Sequence, residues 1–114
     1  MDTQSLITLA VVFGIIGAMW YMKRPDLDAA TARKLIADGA RLIDVRSPGE
    51  YSSGHIDGAR NIPVDRIGSA DLGPKDRPIV VYCASGTRSA IAKRTLKSKG
   101  FSAVYNLGPM SAWQ

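Results

Sequence analysis

The sequence predicts an α/β domain built on a mainly parallel sheet flanked by helices, with one membrane-spanning helix before it. Three observations carry that expectation. Short apolar, β-branched runs alternate along the chain with helix-like segments, the pattern of strands joined by helical crossovers. At 114 residues and 46% hydrophobic content the chain supports one small domain. A long run at its start, Thr3 to Met22, contains no charged residue.

The uncharged run is the first element. About 20 residues at about 1.5 Å each give roughly 30 Å, the hydrocarbon thickness of a bilayer. A cleaved signal peptide is disfavoured, because Asp2 precedes the run and Trp20-Tyr21-Met22-Lys23-Arg24 ends it. Trp20 and Tyr21 suit a membrane interface, and Lys23 and Arg24 predict that the remainder of the chain stays on the cytoplasmic side. The expectation is therefore an anchor over residues 1–24 and the α/β domain over residues 25–114. Ala10, Gly14 and Ala18 recur every four residues, a small-residue stripe through which two such helices could pair.

Asp28 is the expected N-cap of a helix over residues 29–38, with Leu35 and Ile36 inward and Gly39 as its stop. Arg41 to Val45 reads as a strand. Ser47-Pro48-Gly49 reads as a turn, Tyr51 to Gly58 as a short helix running into a loop, and Asn61 to Val64 as a short extended piece. Gly68 to Asp76 is a surface connection. Pro78-Ile79-Val80-Val81-Tyr82 has the composition of a strand buried on both faces. Residues 89–99 then form a helix with Ile91, Ala92 and Leu96 toward the core, and Gly100 ends it.

Between that strand and that helix lies Cys83-Ala84-Ser85-Gly86-Thr87-Arg88-Ser89, with the only cysteine of the chain. At a strand-to-helix turn the loop and first-turn amides have no partner within the helix and point at whatever occupies the mouth. A free thiol of pKa about 8.5 is roughly 3% ionised at pH 7, and a helix N-terminus beside Arg88 lowers that pKa. Gly86 can take the positive φ that curls the loop inward. A lone cysteine is either a packing residue or a nucleophile, and Ser-Gly-Thr-Arg-Ser is poor core material.

This loop resembles the active-site loop of the rhodanese family of sulfurtransferases. A second stretch extends the likeness: Leu42-Ile43-Asp44-Val45-Arg46, Glu50-Tyr51, Gly54-His55-Ile56, Gly58-Ala59 and Asn61-Ile62-Pro63. A weaker third echo is Gly100-Phe101, Val104 to Leu107 and Trp113, like the family's final strand and helix. The resemblance implies a three-layer fold and a sulfurtransferase in which Cys83 takes a sulfane sulfur from a donor such as thiosulfate. It implies a persulfide held by the amides of residues 84–88, with Ala84, Ser85, Gly86, Thr87 and Ser89 around the substrate and Arg88 as the second catalytic group. Thiol or cyanide would collect the sulfur. Arg88 stands five positions after Cys83, one fewer than in related phosphatases, which suits a single sulfur atom rather than tetrahedral phosphate. The resemblance gives Asp44 and Arg46 a bracing role and His55 a loop-organising one. Gly108-Pro109 replaces a more usual Gly-Gly pair.

Two other functions stay open: a phosphatase or arsenate reductase using the same nucleophile, and a non-catalytic rhodanese-like binding or redox-sensing module. The net charge of +5 is concentrated from Arg77 onward, where six basic residues and no acidic one favour small anionic substrates. Aromatic content of 7% and the lack of a recognition motif argue against nucleic acid. One cysteine and one histidine build neither a disulfide nor a structural zinc centre, no cofactor is expected, and the sulfur acceptor must be external.

Overall fold

The computed structural model describes residues 2–114, with the side chains of residues 19–23 excepted. Four parallel strands form one sheet in the order β2-β1-β3-β4, with β1 at Arg41–Asp44, β2 at Arg60–Asn61, β3 at Ile79–Cys83 and β4 at Val104–Pro109. Helix α1 spans Thr3–Lys23, α2 Ala29–Ala37, α3 Pro48–Ser52 and α4 Thr87–Ser98. Two 3-10 turns, Ile67–Ser69 and Met110–Trp113, complete the order.

Alternation along the strands sorts the core into two layers. Leu42, Val80, Tyr82 and Leu107 pack with Ala32, Leu35 and Ile36 of α2 and with Met110 and Trp113 of the last turn. Ile43, Val45, Ile79, Val81 and Cys83 point the other way, onto Ala92 and Leu96 of α4 and Ile67. All five residues of β3 are buried, because this central strand has a layer on each face. Helix α2 starts where Asp28 accepts a hydrogen bond from the Thr31 amide at 2.8 Å. Trp113 is held on α2 by Arg33, whose guanidinium lies 4.6 Å from the indole centroid and donates to the Trp113 carbonyl. Asp26 covers the free edge of β4: its amide donates to the Asn106 carbonyl and its carboxylate accepts from the Asn106 amide.

Several expectations need correction. Ile91 is 48% exposed; Ser89, Ala92 and Leu96, spaced three and four apart and joined by Ala90, form the inward stripe instead. The residues read as a turn at 47–49 open α3, since Ser47 and Glu50 cap each other's backbone amides, and most of residues 53–58 is loop. The connection from Gly68 to Asp76 is not wholly superficial, because Leu72 is buried.

The membrane anchor is also overturned. Among the described residues no helix is long and apolar enough to cross a membrane. The membrane localisation drawn from the same run falls with it. Ala10, Gly14 and Ala18 are exposed on α1, and Gly14 would present an added Cβ to nothing within 4 Å. The interface roles expected of Trp20, Tyr21 and Lys23 concern side chains outside those described.

Candidate active site

Parallel sheets present ligand sites at the carboxyl ends of their strands, and Cys83 is the last residue of β3. Its side chain belongs to the α4 face, so the sulfur lies beneath the turn from Ala84 to Gly86 and in front of the first turn of α4. Gly86 occupies the N-cap of α4 with φ of 96°, a conformation that a residue with a Cβ adopts only under strain. This brings its amide 3.0 Å from Sγ. The Ser89 amide donates to the same sulfur at 3.4 Å, and the Ser89 hydroxyl lies 3.3 Å from it.

The Ser89 hydroxyl has one proton and two acceptors in reach, Sγ and the Gly86 carbonyl at 3.1 Å. With a neutral thiol, S–H donates to Oγ while the hydroxyl serves Gly86. With a thiolate, the hydroxyl turns to the sulfur. Burial pushes the Cys83 thiol up, since Cys83 is 0% exposed, but the Ser89 hydroxyl and amide and the Ser85 and Gly86 amides outweigh it, leaving the pKa below its ordinary value.

Cys83 itself is buried beneath the loop. Ala84, Ser85 and Thr87 are exposed above it, and Gly86 and Ser89 are buried beside it. Arg88 is directed elsewhere. Its two terminal nitrogens donate to Glu50 Oε1 at 2.6 Å and Oε2 at 3.0 Å, a bidentate pair that ties the loop to α3. Glu50 also accepts from the Ser47 amide and hydroxyl. Arg88, and then the Ser47 amide, hold the Glu50 carboxyl down at about 2. Sequence reasoning missed this partner, although Ser47 followed three residues later by Glu50 is a capping-box signature. A cavity of about 280 Å³ lies between these elements, lined by Val45, Ser47, Pro63, Arg66 and Arg88 among others.

Behind the loop stands a buried brace. Asp44, 0% exposed, receives the Arg46 guanidinium through Nε at 3.0 Å and a terminal nitrogen at 2.7 Å, and also the Arg46 amide at 2.9 Å. The same guanidinium reaches the Gly54 carbonyl at 2.6 Å. Asn61 donates to the carbonyls of Asp44 and Arg46, and the Tyr82 hydroxyl accepts from the Ile56 amide. Burial raises the Tyr82 pKa to about 12, so it remains a neutral phenol. His55 stacks on Tyr51 with centroids 3.7 Å apart, and its Nδ1 lies 2.8 Å from the Tyr51 carbonyl. These contacts fix the loop from 54 to 62 and place no imidazole on the sulfur. Among the described residues no group of three metal-ligating side chains occurs.

A buried sulfur that accepts backbone amides at the end of a central parallel strand is a geometry suited to holding an anionic sulfur. Residues 28–114 match the family described as rhodanese-like domain, and the chain belongs to that family. It is 42% identical over 88 residues to thiosulfate sulfurtransferase GlpE of Pseudomonas paraeruginosa, covering 73% of this chain and 77% of that one. It is also 42% identical over 76 residues to YqhL of Bacillus subtilis, described as uncharacterized, covering 65% of this chain and 60% of that relative. Among solved structures, the human single domain sulfurtransferase TSTD1 matches with a TM-score of 0.70 at 31% identity, over 79% of this chain and 95% of that one. Sulfurtransferase in two of these names supports sulfur transfer at the level of the family.

Proposed function

We propose that this protein is a sulfurtransferase that moves a sulfane sulfur from a donor such as thiosulfate to an external thiol or cyanide through a Cys83 persulfide. The Cys83 thiolate attacks the outer sulfur of thiosulfate; the bond from that sulfur to the sulfite group breaks, and sulfite leaves with the electron pair. The outer sulfur of the persulfide stands about 2 Å beyond Sγ. The acceptor then attacks that sulfur, and the pair in the S–S bond returns to Cys83 as thiolate. This is covalent catalysis with ping-pong kinetics.

The observation that carries the reading is the set of donors on one buried sulfur: two backbone amides and a hydroxyl, with no imidazole. Such a set stabilises a thiolate or persulfide anion without a general base. Arg88 uses two of its five donors on Glu50, which leaves others for the sulfonate end of the donor. Thiocyanate formation from thiosulfate and cyanide tests the reading. Wild-type protein turns over with parallel double-reciprocal lines and Cys83→Ser is inactive; no turnover with any sulfane donor, alongside Cys83-dependent hydrolysis of an aryl phosphate, favours the phosphatase.

A further inference from the structure

The opposite end of the sheet carries a second cationic cavity. Three adjacent strands, β2, β1 and β3, have an arginine at or just before their first residue: Arg60, Arg41 and Arg77. All three line one cavity of about 200 Å³ whose walls include Ile36, Leu42 and Leu72. Their hydrogen bonds go to neutral backbone carbonyls: Arg41 to Pro74 at 3.3 Å, Arg60 to Asp71 at 3.4 Å and Arg77 to Gly39 at 2.8 Å. Side-chain ion pairs are made by other cations, Arg46, Arg88 and Lys93. Moreover, Arg41 Nε is buried and has no hydrogen-bond partner.

Gathering three guanidiniums around one space is unfavourable unless an anion offsets their repulsion. Burial, then Arg77 and Arg60, lower the Arg41 pKa; Asp71 opposes this, and its carboxylate already accepts from the Gly73 amide. Guanidinium forks fit tetrahedral oxyanions, and apolar walls strengthen each such contact. We propose that this cavity is a binding site for a small oxyanion of the phosphate or sulfate class, separate from the catalytic loop. At about 3.3 Å per residue, the six steps from Arg77 to Cys83 place it roughly 20 Å from the sulfur. A ligand here joins the starts of three strands and therefore stabilises the sheet without touching Cys83.

The test is a titration of the full chain with inorganic phosphate and, separately, sulfate, against sodium chloride at matched ionic strength, observing arginine Nε–H resonances. Both anions are expected to give saturable shifts at Arg41, Arg60 and Arg77, and Arg41→Gln should weaken the apparent affinity roughly tenfold or more. Cysteine alkylation rates remain unchanged in that variant. If Arg41→Gln fails to fold, Arg60→Gln, at an exposed position, should show the same loss. Shifts equal to those in chloride, shifts confined to residues 84–88, or affinity unaltered in both variants overturn the proposal.

Discussion

Ser89→Ala isolates the hydroxyl that faces the sulfur. It removes the donor 3.3 Å from Sγ and leaves the Gly86 and Ser89 amides in place. A hydrogen bond to a charged group contributes about 1.5–3 kcal/mol, and a neutral one about 1 kcal/mol. In the neutral thiol state this hydroxyl already serves the Gly86 carbonyl, so only the difference favours the thiolate, about 0.5–2 kcal/mol. At about 1.4 kcal/mol per pKa unit the Cys83 pKa should rise by roughly one unit. The assay is the pH dependence of alkylation by iodoacetamide, with thiolate absorbance in the ultraviolet as a second readout. Wild type should titrate below free cysteine, and Ser89→Ala about one unit higher than wild type. Ser85→Ala, which leaves the Ser85 amide in place, should not move the midpoint. An unchanged midpoint in a folded Ser89→Ala protein would refute the assignment of the hydroxyl.

Other perturbations probe the contacts around this loop and the core beneath it. Asp44→Asn leaves the buried Arg46 guanidinium without its counter-charge and should cost about 3–5 kcal/mol in urea unfolding; a loss below about 1 kcal/mol contradicts the brace. Leu96→Ala, at a position 1% exposed, should cost about 2–5 kcal/mol by the same measurement, whereas Ile91→Ala on the exposed side should cost little. The Glu50 carboxyl is held below its unfolded value of 4.5, at about 2, so what its pair with Arg88 contributes is complete above the unfolded value and lost as pH falls toward 2. Carboxyl carbon shifts recorded against pH should show this depressed midpoint in wild type and a return toward 4.5 in Arg88→Gln; an ordinary midpoint in wild type means that the pair does not form in solution.

What could be read from residues alone was what local pattern determines. The all-apolar Ile79 to Tyr82, the Asp28 cap and the glycine stops at 39 and 100 each specify an element through short-range chemistry, and each lies where the pattern places it. Cys83 at the strand-to-helix turn was legible for the same reason. The helix after it begins at Thr87 rather than Ser89, because Gly86 serves as an N-cap without any side-chain hydrogen bond to announce it. The direction of Arg88 was not legible: its partner Glu50 lies 38 residues earlier, and only the three-dimensional approach of α3 to the loop selects that carboxylate over the sulfur. The depth of Cys83 likewise depends on how residues 84–86 fold over it. The apolar start of the chain invited a membrane reading from composition, and among the described residues no helix is long and apolar enough to sustain it.

Intact mass of the protein after exposure to thiosulfate near neutral pH, and again after cyanide, tests most directly whether Cys83 carries sulfur. Wild type should gain the mass of one sulfur atom and lose it to cyanide, with Cys83→Ala unchanged throughout. A wild-type mass that stays constant with thiosulfate and other sulfane donors, in protein whose Cys83 alkylates readily, would contradict the account.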